Sequence, residues 1–183
     1  MEFTRFKIDG LILVTPKVFG DDRGFFLETY NKKEFTQGGI IVDFVQTNHS
    51  RSQIGVLRGL HFQTGTSAQD KLVWVTRGKV FDVAVDLRPK SETFGCWQGL
   101  ELSEENKQLF FIPKGFAHGF LVLSDWADFQ YQVSNFYQPE SEKGVIWNDP
   151  DIGVAWPNVN DLIISEKDQN WPHFAEVKKS LIW

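Results

Sequence analysis

The stretch KLVWVTRGKVFDVAVDLR, residues 71–88, decides the fold. It reads as two strands joined at Arg77–Gly78. Lys71 shares a face with Val73 and Val75. Past the glycine, Asp82 shares a face with Ala84 and Asp86, while Phe81, Val83 and Val85 point the other way. A period of two in β-branched residues is the signature of extended chain packed on a surface. Outward from this stretch the pattern repeats. GLILVTPKVF, GDDRGFFLETY, VDFVQTNHS and GVLRGLHFQ precede it. FGCWQGLELS, QLFFIPKGFAHGFLVLS, ADFQYQVSNFY and GVIWNDPDIGVAW follow. Helical pattern is confined to NKKEFTQ near residue 31 and EKDQNWPHFAEVKKS near the end. Many short strands with little helix predict an all-β antiparallel sandwich or barrel with short peripheral helices. No linker, repeat or charge block divides the chain, so residues 1–183 are expected to form a single domain.

Composition narrows the function. Aromatics are plentiful, with Phe 17, Trp 7 and Tyr 3, which suits strands and also pockets that stack planar rings. The formal net charge of −5 speaks against general nucleic-acid affinity, and an anionic ligand would need a local basic pocket. The single cysteine, Cys96, supports neither an intrachain disulfide nor a cysteine zinc site. No apolar run approaches the ~18 residues of a membrane span and no secretory leader is visible, so a cytoplasmic protein is expected. The sequon at Asn48 is then an accident of sequence.

Several polar residues fall among inward apolar neighbours. His118 groups with Phe116, Phe120 and Val122, and Tyr131 with Phe129 and Val133. In VLRGLHFQ, residues 56–63, period two groups Gly59, His61 and Gln63 and puts Arg58 on the opposite face, unless Gly59 bends the strand or marks a bulge. Each residue has an ordinary structural reading: a hydrogen-bonded core histidine, a solvated lysine, a core tyrosine. Four titratable groups on otherwise apolar faces, His61, Lys71, His118 and Tyr131, are less readily four accidents.

Two chemistries suit such a set, a metal site and metal-free proton transfer. PKGFAHG, ending at Gly119, has the Pro-x-Gly-x-x-His spacing of the second cupin motif. The first motif wants His-x-His followed by glutamate; here HFQTGTSAQDK places Gln63 at the second histidine and no glutamate follows. Two histidines without a paired carboxylate make a poor zinc or iron site, and no metal is expected. In metal-free chemistry, His61 is the candidate general base, and SEKDQN offers Asp168 as a candidate carboxylate to orient it. Lys71 steadies a developing oxyanion and Tyr131 donates a proton. A base on one side of a carbon and an acid on the other invert its configuration.

Taken in order, DDRGFFLETY, VQTNHSRSQIGVLRGLHFQ, KLVWVTRGKVFDVAVDLRPKSETFG, FIPKGFAHGFLVLSDWADFQY and GVIWNDPDIGVAW resemble the dTDP-4-dehydrorhamnose 3,5-epimerase family, metal-free cupins that process nucleotide-linked sugars. The resemblance spans about residues 10 to 170. It implies a cupin-type jelly roll and cofactor-free epimerisation at C3 and C5 beside the C4 ketone of dTDP-4-dehydro-6-deoxy-D-glucose. It implies His61 as base, Asp168 as its partner, Tyr131 as acid, and Lys71 on the enolate oxygen with Asp82 as neighbour. It further implies His118 and Arg58 in the site, with Arg23, Glu28, Gln46 and Asn48 holding the dTDP portion. Two arginines suit a pyrophosphate in an acidic protein. Relatives form dimers that exchange strands, so a homodimer is implied too, with no nucleic acid or membrane as partner. C3-only epimerisation or 3,4-ketoisomerisation of a related sugar nucleotide is the alternative; a metal-dependent oxygenase and a non-catalytic binding module are the remaining contenders.

Overall fold

The computed structural model describes residues 1–181. The elements in chain order are β1 (Glu2–Arg5), β2 (Ile12–Thr15), β3 (Val18–Asp21), β4 (Gly24–Leu27), α1 (Lys32–Gln37), β5 (Gln46–Gln53), β6 (Val56–Gln63) and β7 (Lys71–Arg77). There follow β8 (Lys79–Asp86), β9 (Trp97–Ser103), β10 (Leu109–Ile112), β11 (Phe116–Val122), β12 (Trp126–Val133), β13 (Glu142–Gly144), β14 (Ile163–Ile164), α2 (Glu166–Gln169) and α3 (Phe174–Val177). Two sheets result. The first runs β1-β2-β10-β7-β12-β5 and the second β13-β6-β11-β8-β9, with β14 added parallel to β6. The hairpin β3–β4 pairs only with itself in this topology. Among the described residues, no helix is long and apolar enough to cross a membrane.

Residues 71–88 do form two strands, but the strands do not pair with each other. β7 lies in the first sheet and β8 in the second, so Gly78 is the corner where the chain passes from one to the other. Its φ of +74° is one that a side chain would resist, and a Cβ there would run into Trp126 and Ser124.

The alternation then sets three layers. Val73, Val75, Phe110 and Phe129 from the first sheet meet Val80, Ala84, Phe116, Phe120 and Val122 from the second. Phe129 stacks on Phe120 with centroids 4.1 Å apart, a contact worth about 0.5–1.5 kcal/mol beyond the area it buries. The other face of the second sheet, with Val83 and Val85, is covered by Val145, Ile152, Phe174 and Val177 from the C-terminal segment. The other face of the first sheet packs Leu72 and Trp74 against Phe35 of α1. That helix starts where Asn31 accepts from the Lys33 and Glu34 amides.

Two expectations near the C-terminus need correction. EKDQNWPHFAEVKKS is not one helix but two four-residue turns, α2 and α3, separated at Asn170–His173 where Pro172 interrupts the helical ladder. GVIWNDPDIGVAW is strand only at its first residue, Gly144. Beyond it the Asp149 carboxylate accepts from the amides of Asp151, Ile152 and Phe174, so a side chain satisfies the backbone that a sheet ladder would otherwise have used.

Candidate active site

One cavity of about 430 Å³ opens between the sheets. His61, Lys71, His118 and Tyr131 line it, together with Arg58, Gln46 and Asn48. His61, Arg58 and His118 come from the second sheet; Lys71, Tyr131, Gln46 and Asn48 come from the first. The cavity is therefore walled by an imidazole on one side and by a phenol and an ammonium on the other.

Arg58 and His61 share the inner face because β6 is bulged. The pairing of β11 with β6 runs Leu121↔Leu57 and Phe120↔Arg58, then shifts before His118↔His61. Gly59, at φ +124°, absorbs the extra residue. Simple alternation would have set Arg58 outward; the bulge returns it to the cavity, where Nε and Nη2 donate to Ser52 Oγ at 3.2 and 3.1 Å.

His61 Nε2 lies 2.6 Å from Asp168 Oδ1. The carboxylate is buried and further held by the Trp171 indole N–H at 3.2 Å and the Gly59 amide at 3.4 Å. Ser165 caps α2 by accepting the Asp168 amide, which fixes the backbone from which the carboxylate projects. Burial alone would raise Asp168, but the hydrogen bonds from His61, the Trp171 indole and the Gly59 amide outweigh it and hold the carboxyl below its usual range. An ionised acceptor on Nε2 selects the tautomer with the proton there and leaves Nδ1 as the basic lone pair.

Burial pushes the Lys71 ammonium down to about 8, against the opposing pull of Asp82 and Glu142. Burial also raises Tyr131, keeping its phenol protonated at neutral pH. His118 is lowered by burial although Asp82 sits 2.9 Å from its Nε2.

Several lining residues were not anticipated from sequence: Gln69, Tyr137 and Glu142. Glu142 accepts from the Tyr137 hydroxyl at 2.7 Å and from Lys167 at 2.9 Å. That hydrogen bond, with burial behind it, pushes Tyr137 up to about 12. In ESEKG a glutamate reads as surface charge; only the pairing of β13 with β6, which sets Glu142 opposite Gln63, brings it to the cavity. Two expected residues are not brought together with the rest. Arg23 sits at the exposed tip of β3–β4, paired with Asp21 at 2.5 Å, and Glu28 is exposed just past β4. Neither lines the cavity of its own chain.

Among the described residues, no group of three or more His, Cys, Asp or Glu side chains is arranged to hold a metal ion. Gln63, at the position of the second cupin histidine, has both ends of its amide engaged by backbone: Nε2 donates to Ser67 O and Oε1 accepts from the Gln138 amide.

The chain is similar to known proteins along nearly its whole length. A family model described as dTDP-4-dehydrorhamnose 3,5-epimerase matches residues 5–176. The dTDP-4-dehydrorhamnose 3,5-epimerase of Escherichia coli is 57% identical over 170 residues, covering 92% of each chain. The dTDP-6-deoxy-D-glucose-3,5-epimerase of Legionella pneumophila, crystallised with dTDP-4-keto-L-rhamnose, superposes with a TM-score of 0.95 at 47% identity, covering 99% of this chain and 96% of its own. A dTDP-4-dehydrorhamnose 3-epimerase of Streptomyces niveus is 38% identical over 93% of this chain and 83% of its own. A model that spans nearly the whole sandwich, and relatives more than half identical, lead to one conclusion: this chain belongs to the dTDP-4-dehydrorhamnose 3,5-epimerase family.

Proposed function

We propose that this protein epimerises dTDP-4-dehydro-6-deoxy-D-glucose at C3 and C5 without a cofactor, giving dTDP-4-dehydro-L-rhamnose for dTDP-L-rhamnose synthesis in the cytoplasm. The observation that carries this is the split of the cavity wall: His61 on one sheet faces Lys71 and Tyr131 on the other. A ketosugar held between them has a base on one ring face and an acid on the opposite face.

His61 Nδ1 removes the proton beside the C4 ketone, and the electron pair moves into an enolate whose oxygen faces the Lys71 ammonium. Opposite charges at ~4 Å in an effective dielectric of ~20 gain about 4 kcal/mol. Realised only as the enolate forms, that is roughly a thousandfold in rate. Asp168 stabilises the imidazolium so formed. Tyr131 then delivers its proton to the carbon from the far side, and the configuration is inverted. The C4 carbonyl re-forms as the carbon takes that proton; His61 then gives its proton to solvent and the Tyr131 phenolate takes one from it, and a second cycle at the other carbon completes the inversion of C3 and C5. Arg58, Gln46 and Asn48 take the diphosphate and nucleoside at the mouth, with His118 against the sugar.

The relatives named as 3,5-epimerases are closer in sequence than the named 3-epimerase, which favours double inversion. A homodimer completes the proposal: the partner subunit's Arg23 and the partner subunit's Glu28 reach the nucleotide, which accounts for their distance from the cavity of their own chain. Its support is the β3–β4 hairpin, which exposes Phe19, Phe25 and Phe26.

Turnover in D2O tests the chemistry. Solvent deuterium should enter both C3 and C5, and His61→Asn should stop exchange at both. Full exchange in that variant removes His61 as the base. Tyr131→Phe should reduce inversion more than exchange. Proton coupling constants of the product separate C3-only from double epimerisation.

A further inference from the structure

Trp171 does not line the cavity, yet it is built into the wall behind His61. Its indole N–H donates to Asp168 Oδ1, the same oxygen that takes the His61 Nε2 proton. Its ring meets the imidazole edge to face, with centroids 5.9 Å apart and planes at 69°. Gly144 makes room for it: β13 sets Gly144 opposite His61, and a Cβ on Gly144 would collide with the Trp171 ring. Lys167 lies over the same ring, 5.8 Å from its centroid, and is anchored in turn to Glu142. The indole is thus held from three sides.

We propose that Trp171 is a positioning residue for proton abstraction, fixing the Asp168 carboxylate with its N–H and the plane of the His61 ring with its own ring. This rests on His61 being the base. An oxygen that accepts two donors gives each a weaker hydrogen bond than an oxygen that accepts one. The indole therefore draws charge away from the imidazole and lets His61 release its proton more readily at the end of each cycle. The charged and titratable groups around that imidazole are Asp168 and Lys167 of α2, Glu142 of β13 with the Tyr137 hydroxyl bonded to it, His118 of β11, Lys71 of β7, Tyr131 of β12 and Arg58 on its own strand. Trp171 acts on the nearest of them.

Trp171→Phe keeps a ring over Gly144 and removes the N–H. The acid limb of the kcat profile should move to higher pH by about half a unit, roughly a threefold lower rate below the limb, with KM unchanged. In the substrate-free protein, the Nε2 proton resonance of His61 should move downfield as its bond to Asp168 strengthens. Gly144→Ala, which displaces the ring while leaving the indole intact, should shift the same limb. The double variant should shift it no further than either alone. A Trp171→Phe profile and resonance that superimpose on the parent would overturn the proposal, as would a fall in kcat at all pH values with no movement of the limb. If the parent takes up no deuterium, the epimerase reading fails and the role in proton abstraction falls with it, whereas a parent that exchanges while the variant's limb and resonance stay in place overturns the positioning role alone.

Discussion

His118 and Asp82 form a second histidine–aspartate pair, with Nε2 2.9 Å from Oδ2 and both side chains buried. It differs from the His61–Asp168 pair in what its carboxylate serves. Asp82 also pulls Lys71 upward, so one buried negative charge supports both an imidazole and an ammonium. Removing it should therefore be felt at Lys71. Asp82→Asn should carry Lys71 below about 8, lower its ammonium fraction near neutral pH and reduce kcat by about tenfold. The basic limb of the rate profile should move to lower pH. A limb that stays in place would show that Asp82 does not govern Lys71.

Lys71 itself sets activity against stability. Its folded value of about 8 lies below the usual 10.5, so the folded state sheds this proton first as pH rises. Between those values the unfolded chain binds the extra proton, and stability must rise with pH. Below about 8 the buried ammonium is a standing cost. Lys71→Met should therefore stabilise the fold at pH 7 by about 1–3 kcal/mol and flatten the rise, while losing nearly all turnover. Urea melts at pH 7 and pH 10 measure both.

Gly59 carries the bulge on which the site depends. A Cβ there would sit 2.6 Å from Gly119 Cα and 2.8 Å from the His118 carbonyl. Gly59→Ala should cost about 2–4 kcal/mol, through steric contact with a neighbouring backbone and a φ that alanine resists. Any folded fraction should have Arg58 and His61 off their common face and bind nucleotide more weakly. Thermal melting and titration with dTDP check the two effects.

Ser165 does not line the cavity, yet it caps the turn that carries Asp168. Ser165→Ala should cost about 1 kcal/mol and lower kcat with KM preserved, since only the orientation of the base is disturbed. A change confined to KM would contradict this.

Strand faces were legible wherever a strand ran straight. Alternation alone puts Lys71, Tyr131 and His118 inward, because burial of one face dictates it; it could not choose a face for Asp82, since β8 is buried on both sides. It failed at Arg58, where one inserted residue inverts the parity, although Gly59 marked the place. It could not show that β7 and β8 belong to different sheets, since a glycine corner and a hairpin turn use the same residue. The contact between His61 and Asp168 spans 107 positions and has no local signal; SEKDQN offered Asp168 as a candidate carboxylate, and the family resemblance matched it to the histidine's partner. Glu142, Tyr137 and Trp171 were missed because a polar loop reads as solvent-facing until something packs over it. The C-terminal run misled in the opposite way. Its apolar residues cover the back of a sheet without joining the ladder.

The parallel pairing of β14 with β6 and the docking of α2 beside it set a schedule on synthesis. The strand bearing His61 leaves the ribosome more than a hundred residues ahead of the carboxylate that orients it. A nascent chain can thus assemble most of its sandwich while its base remains unaligned. Alignment of the base waits until the tail closes against the sheet.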